Sequence, residues 1–386
     1  MMRTLKAIVF AVSTALATSL ATAQSTLLVG PGGYPDVTAA LAAAAPGDEI
    51  EVAAGSYPAF QCAIGVTIRA AVPGTVTIVL DGGVFAPNGY PMQFSAPAGQ
   101  SVRLVGLRFG MPSGSLIASG LPEITFACAI ALEDCEFNDL AGGPSRGRGL
   151  LRVSNGAFSH WQNVRVAGPG VLVEGKLTAV QSELVGTFSL GLTNDAMRVV
   201  GTLLASHGSF VGGTSSTQPA GAGILVHAGA RVWLTDCTID RGASFSNACS
   251  LVDLGGQIDL TRCTSAVTPA CLPVGSGAGL GVQRSGPIAQ GLPFSIDYRT
   301  GPGVPVAVLA SFQLADVVLP GLLQPWAAPQ SAFNAAFGFA NAQGDLTFSF
   351  TLPAVPSFQG LPLWFHGVGG VSLPLQVAAP VGGLVR

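Results

Sequence analysis

Seven times between Val102 and Ser265 one short pattern recurs, and it restricts the chain to a coil that stacks on itself. Each rung has a turn position, occupied in order by Gly106, Asp134, Asn163, Gln181, His207, Asp236 and Arg262. Two residues before it stand Leu104, Leu132, Trp161, Ala179, Ala205, Leu234 and Leu260, and four before it Val102, Ile130, Ser159, Leu177, Leu203, Val232 and Ile258. After it the apolar phase shifts by one, through Leu107, Cys135, Val164, Ser182, Gly208, Cys237 and Cys263, then Phe109, Phe137, Val166, Leu184, Phe210, Ile239 and Ser265. Alternation at period two is the mark of a strand with one buried face. A phase shift at the turn lets the chain bend without giving up its interior. Successive turn residues lie 28, 29, 18, 26, 29 and 26 apart, a solenoid spacing in which no coil can bury its apolar face without a neighbour. A glycine column (Gly156, Gly175, Gly201, Gly229, Gly256) six or seven residues earlier marks a second bend. The fold class expected is all-β: a right-handed parallel β-helix of roughly eight or nine coils, about 40 Å long at about 4.8 Å per coil.

Residues 1–23 read as a secretory signal, with Arg3 and Lys6 ahead of an apolar run and Ala21-Thr22-Ala23 before Gln24. No later stretch reaches the length of an apolar membrane span, so no integral membrane segment is expected after cleavage. Cleavage would remove two of the 17 basic residues and none of the 20 acidic ones, leaving 15 against 20, a net charge of -5. Nucleic acid is a poor partner for such a surface. An exported chain can form disulfides, but seven cysteines leave at least one thiol over. Cys237 and Cys263 share an inward column and are expected as a buried thiol stack, since parallel Cβ vectors suit a bridge poorly. Cys249 with Cys271 is the bridge the sequence favours.

Asp36 can cap a helix over Val37 to Ala45, stopped by Pro46-Gly47. The stretch from Val29-Gly-Pro-Gly-Gly-Tyr-Pro-Asp36 through Pro46-Gly-Asp-Glu-Ile-Glu-Val52 to Gly55-Ser-Tyr57 resembles the opening of pectin-lyase-like β-helix proteins, including pectinesterases. The resemblance implies that the helix closes the first coil. It carries no catalytic residue over, because the glutamine-containing and Asp-Phe-Ile-Phe-Gly motifs of pectinesterases have no counterpart in this chain. Ser206-His207-Gly208 resembles the Gly-His-Gly of polygalacturonases, yet the paired aspartates of that pattern are missing. His207 and Asp236 moreover fall in the turn column, where a left-handed backbone alone selects Gly, Asn, Asp and His.

Beyond a Gly/Ser/Pro-rich stretch at 273–293, read as a linker, the rung pattern is lost. The expected organisation is a signal peptide (1–23), a cap (24–60), the β-helix (61–272), the linker (273–293) and a small antiparallel β-sandwich (294–386). Its strands are expected at Phe294 to Tyr298, Val304 to Phe312, Leu346 to Leu352, Leu361 to Phe365 and Leu373 to Val377. Asp345-Leu-Thr-Phe-Ser-Phe-Thr-Leu-Pro353 and Gly360-Leu-Pro-Leu-Trp-Phe365 resemble the closing strands of a terminal all-β module of secreted proteins from environmental bacteria. That module has no assigned chemistry, and His366 stands where its pattern has glutamine.

One acidic cluster, Glu133, Asp134, Glu136 and Asp139, offers oxygen ligands of the kind calcium takes. With Arg146 or Arg148 as proton acceptor, Glu133 and Glu136 are the catalytic candidates of a lyase or hydrolase on acidic polysaccharide. The register points both glutamates outward, so a solvated turn accounts for them equally. A second row, three before the turn, carries Arg103, His160 and Trp233 on the same outward face, where a tryptophan can stack on a sugar ring. No cofactor is expected; calcium enters only through the lyase reading. These observations favour a secreted, non-catalytic β-helix protein that binds an extracellular polysaccharide or a cell-surface component, with the polysaccharide-cleaving enzyme as the alternative and a self-associating surface fibre as a third reading.

Overall fold

A computed structural model describes residues 25–80, 92–110, 123–138, 150–168, 170–186, 195–213, 221–242, 249–266, 279–312, 322, 332–355, 358 and 361–385. Among these, the turn column has the backbone the pattern required. Asp134, Asn163, Gln181, His207, Asp236 and Arg262 hold φ between 51° and 54°, and Gly106 holds 67°. Each left-handed residue ends one strand and starts the next at an angle, so the inward rows on either side of it share one interior. The described strands form three parallel sheets of ten, eight and seven strands, stacked coil upon coil. Two of the ten strands, Thr26–Val29 and Glu49–Val52, belong to the N-terminal cap, leaving eight from the coils proper.

The register matches the columns residue for residue: Val102 pairs with Ile130, Ile130 with Ser159, Ser159 with Leu177, and on through Leu203 and Val232 to Ile258. Ser159 looks out of place in an aliphatic column until Trp161, two residues on, is considered. The fully buried indole Nε1 donates to Ser159 Oγ at 2.7 Å, so the serine satisfies a donor that burial would otherwise strand. Ala179 and Ala205 on the next coils leave room for that ring. After the turn, Phe109 and Phe137 stack at 4.6 Å in successive coils. The glycine column has two causes. Gly156 and Gly229 adopt φ of 80° and 81°, whereas a Cβ on Gly201 would lie 2.0 Å from the carbonyl oxygen of Gly175.

The cap helix runs Val37–Ala43, two residues shorter than expected, with Asp36 Oδ1 accepting from Ala39 N at 2.8 Å. Val37 and Ala40 are buried and join the core at the first coil. Cys62, Cys128, Cys135, Cys237 and Cys263 are free thiols, the Cys237 and Cys263 column among them. Burial pushes the Cys135 thiol up to about 12. Cys271 lies outside the described residues.

The C-terminal part is antiparallel. Gly281–Ser285, Pro293–Arg299 and Asp345–Thr351 form a three-stranded sheet; Phe333–Phe339, Pro305–Ser311, Pro362–Gly369, Gln376–Val377 and Val381–Leu384 form the facing one. Part of the expected linker is thus a strand, because Gly281–Ser285 pairs along its length with the strand Pro293–Arg299. Phe333–Phe339 and Val381–Leu384 were not anticipated: glycine and alanine dilute their alternation. Of Leu373 to Val377, only Gln376–Val377 is strand.

Candidate functional site

The ten-stranded sheet turns two outward rows away from the β-helix interior, and both are covered. In the row that carries the candidate ligand residues, Arg103, Ala131, His160, Thr178 and Leu204 are buried, while Trp233 and Asp259 are half-buried. In the adjacent row Val105, Glu133, Gln162, Val180, Ser206, Thr235 and Thr261 are all buried. The cover is the chain's own C-terminal sandwich. Val180 and Leu204 are members of the sandwich core, with Leu280, Val282, Ile296, Tyr298 and Phe365, and Trp233 packs against it. The expected exposed face of Arg103, His160 and Trp233 is therefore corrected to a buried interface. The outward phase was right; what the rung pattern could not contain was a second layer bringing its own apolar residues to that face.

At its centre is an ionic cluster. Arg103 Nη2 meets Glu133 Oε2 at 2.5 Å, and Arg284 Nη2, from the first strand of the sandwich, meets Glu133 Oε1 at 3.5 Å. Arg284 Nη1 also donates to the carbonyl of Gly382. The Arg103 guanidinium lies 5.2 Å from the Trp364 ring centroid, and the His160 ring meets the same indole edge-on at 4.7 Å. His160 Nδ1 shares a hydrogen bond with Thr178 Oγ1 at 2.7 Å, while Nε2 has no hydrogen-bond partner. Burial first, then the neighbouring His366, Arg103 and Arg284, push His160 down to about 3. Burial alone pushes His366 to about 3. A Cβ on Gly383 would lie 2.5 Å from both Glu133 Oε1 and Arg284 Nη1, which is why the strand Val381–Leu384 passes the cluster on a glycine pair. Glu133 is thus not a surface glutamate. Its charge is neutralised twice, the condition under which a carboxylate is tolerated in such a place.

The rest of the acidic cluster is dispersed. Glu136 lies on the eight-stranded sheet in a row of alternating sign, with Arg108 Nε at 3.0 Å and Arg165 Nη1 at 3.5 Å, and Arg165 Nε continues to Glu183 at 3.3 Å. Asp134 Oδ1 accepts from Asn163 Nδ2 at 2.8 Å across neighbouring turns. Asp139, Arg146 and Arg148 lie outside the described residues. Among the described residues no three His, Cys, Asp or Glu converge as metal ligands. The three described donors, Glu133, Asp134 and Glu136, are spread over different sheets and turns and are engaged by cations or an amide, a set that does not fit the ion.

The turn column brings together the three residue types of a hydrolytic triad without its geometry. Ser206 Oγ is 3.0 Å from His207 Nδ1, but Ser206 is buried and its Oγ accepts from Val282 N at 2.9 Å. Asp236 turns both oxygens to Arg262, at 2.7 and 2.8 Å. Arg262 then reaches the carbonyls of Gly279 and Arg299, at 3.3 and 3.0 Å. Three of these contacts tie coil to sandwich or to its approach, so the group is structural.

Arg284, Trp364, His366 and the Gly382-Gly383 pair had no place in the sequence reading. Their traces in the sequence are Trp364, inside the closing-strand motif, and His366, where the module pattern has glutamine.

No family model and no curated protein matches the chain. Among solved structures, a pectin methylesterase in complex with hexasaccharide VII aligns with a TM-score of 0.43 and 9% identity over 66% of this chain and 92% of that one. A superoxide reductase (neelaredoxin) from Ignicoccus hospitalis aligns with a TM-score of 0.16 and 13% identity over 28% of this chain and 80% of that one. Neither bears on function. No described helix is long and apolar enough to cross a membrane.

Proposed function

We propose that the protein is a secreted, non-catalytic β-helix that serves as an extracellular or cell-surface binding or structural component. One observation carries this reading: the outward rows of the ten-stranded sheet, where substrate would have to lie to meet Glu133, His160 or Trp233, are filled by the chain's own sandwich. Glycosidic cleavage needs two carboxyl groups flanking one bond, or a carboxylate with a base and access for a sugar ring. Glu133 is held between two arginines under the sandwich, and Glu136 faces away on another sheet. The purified protein is expected to leave polygalacturonate and alginate intact, with or without calcium; growth of absorbance from unsaturated uronates, or release of reducing ends, would overturn the reading.

A second reading has one observation in its favour. Arg108 and Arg165 are 53% and 56% exposed on the eight-stranded sheet beside Glu136. Spaced two coils apart on an open sheet, they suit carboxylates of an acidic polysaccharide lying along the helix axis. Binding of polygalacturonate that Arg108→Ala and Arg165→Ala abolish, without turnover, would place the glycan there and keep the protein non-catalytic.

A further inference from the structure

The far end of the sandwich presents a surface unlike the rest of this chain. Among the described residues Phe333–Phe339 is the outermost strand of its sheet and is bonded on one side only, to Pro305–Ser311. Phe337 and Phe339 are 59% and 63% exposed and touch edge to face at 5.4 Å. Gly338 between them turns inward, where a Cβ would meet Leu346 and Phe348 at 3.2 and 3.3 Å. Pro305 pairs with Phe339, and its carbonyl accepts from Gly370 N at 3.3 Å, which brings the exposed Val371 and Leu373 to the same end. No Asp, Glu, Lys or Arg occurs in 332–344 or 361–385. Edge strands that stay unpaired are ordinarily guarded by charge, by proline or by a bulge. Here a register shift opposite Val308 and Leu309 guards only the first half, and Ala336 to Phe339 is regular and unguarded.

We propose that this edge pairs with the same edge of a second copy of the chain, antiparallel about a two-fold axis at Gly338. In that register Phe337 of each copy faces Phe339 of the other, so four phenylalanine rings cluster on the outer face while Gly338 meets Gly338 without side chains in the way. The backbone N–H and C=O groups of Phe337 and Phe339, which alternate with the residues bonded to Pro305–Ser311, then find partners, and the two sheets become one. A second copy is the occupant the charges select. The chain is acidic, with 20 acidic against 17 basic residues, and copies repel over most of their surface but not over this neutral end. The absence of basic residues gives an anionic membrane or glycan no hold. Because a two-fold contact is closed, it yields a dimer and not a growing fibre. The pairing is independent of whether the β-helix binds or cleaves a glycan.

Sedimentation equilibrium of the full chain from about 1 to 100 µM is expected to show mass rising from monomer to dimer and stopping there. Phe339→Lys, which puts like charges near the axis, is expected to weaken the dimer about tenfold or more with an unchanged far-UV spectrum. If the variant misfolds, amide exchange of the unmodified chain decides: the amides of Phe337 and Phe339 gain protection at the higher concentration. A monomer throughout, a dimer indifferent to Phe339→Lys and Phe337→Lys, or exchange at this strand unaffected by concentration would each overturn the proposal.

Discussion

Acidification should loosen the sandwich from the β-helix, because the interface between them buries two neutral imidazoles. Arg103 and Arg284 both meet the carboxylate of Glu133, so two guanidiniums already lie where a further positive charge would have to form. His160 on the coil and His366 on the sandwich are fully buried beside it and neutral, each pushed to about 3. Both are bases whose pKa is depressed in the folded state, so the undocked or unfolded state binds more protons at every pH between about 3 and the ordinary value near 6.5. Stability is therefore complete above pH 6.5 and falls as the pH drops towards 3. Each histidine loses about 1.4 kcal/mol per pH unit, and the pair about 5 kcal/mol between pH 6.5 and 4.5. Set against a total of about 5–15 kcal/mol for an ordinary domain, this is enough to open the interface. Urea unfolding followed at pH 7.5, 6.5, 5.5 and 4.5 measures it. Installing the glutamine of the module pattern, His366→Gln, removes one titrating ring and should roughly halve the loss. Stability that is flat from pH 7.5 to 4.5, or a His366→Gln slope equal to that of the unmodified chain, would refute the placement of these rings.

Glu133→Gln removes the buried carboxylate that Arg103 and Arg284 share and is expected to cost about 3–5 kcal/mol in urea unfolding, far above the ~1 kcal/mol or less expected for Glu136→Gln in its more exposed row. His207 sits at φ 53°, so His207→Gly should be tolerated while His207→Val costs about 1–2 kcal/mol more, read from the same transitions. Peptide mapping of the non-reduced protein is expected to yield Cys249 linked to Cys271, with Cys237 and Cys263 alkylated only after unfolding; a Cys237–Cys263 peptide would contradict the thiol column.

The solenoid was legible because seven rungs repeat period-two burial and one left-handed residue, and five of them in succession share a glycine bend, so each constraint is checked by several copies in the same chain. That redundancy alone assigns Asp236 and His207 to the turn. What the repeat could not encode was the fate of its outward side chains. Arg103, His160 and Glu133 have the polarity of surface residues, and Val105, Val180, Leu204 and Trp233 in the same rows are scattered singly among them, so they do not announce that something apolar arrives. The residues that arrive, Arg284, Trp364 and His366, lie more than a hundred positions further along the chain than Glu133, in strands whose alternation is diluted by glycine. Long-range burial of that kind leaves almost no local signature.

The sealing of the ten-stranded sheet by the C-terminal sandwich can be tested by hydroxyl-radical footprinting of the intact chain at pH 7.5. The rings of His160, Trp364 and His366 should be protected to the level of Trp161 in the coil interior, while Phe337 and Phe339 at the far edge label readily in dilute solution. Labelling of His160 and Trp364 at the rate of Phe339 would show the face open to solvent, and with it the candidate residues Arg103, Glu133 and His160 restored to an accessible surface.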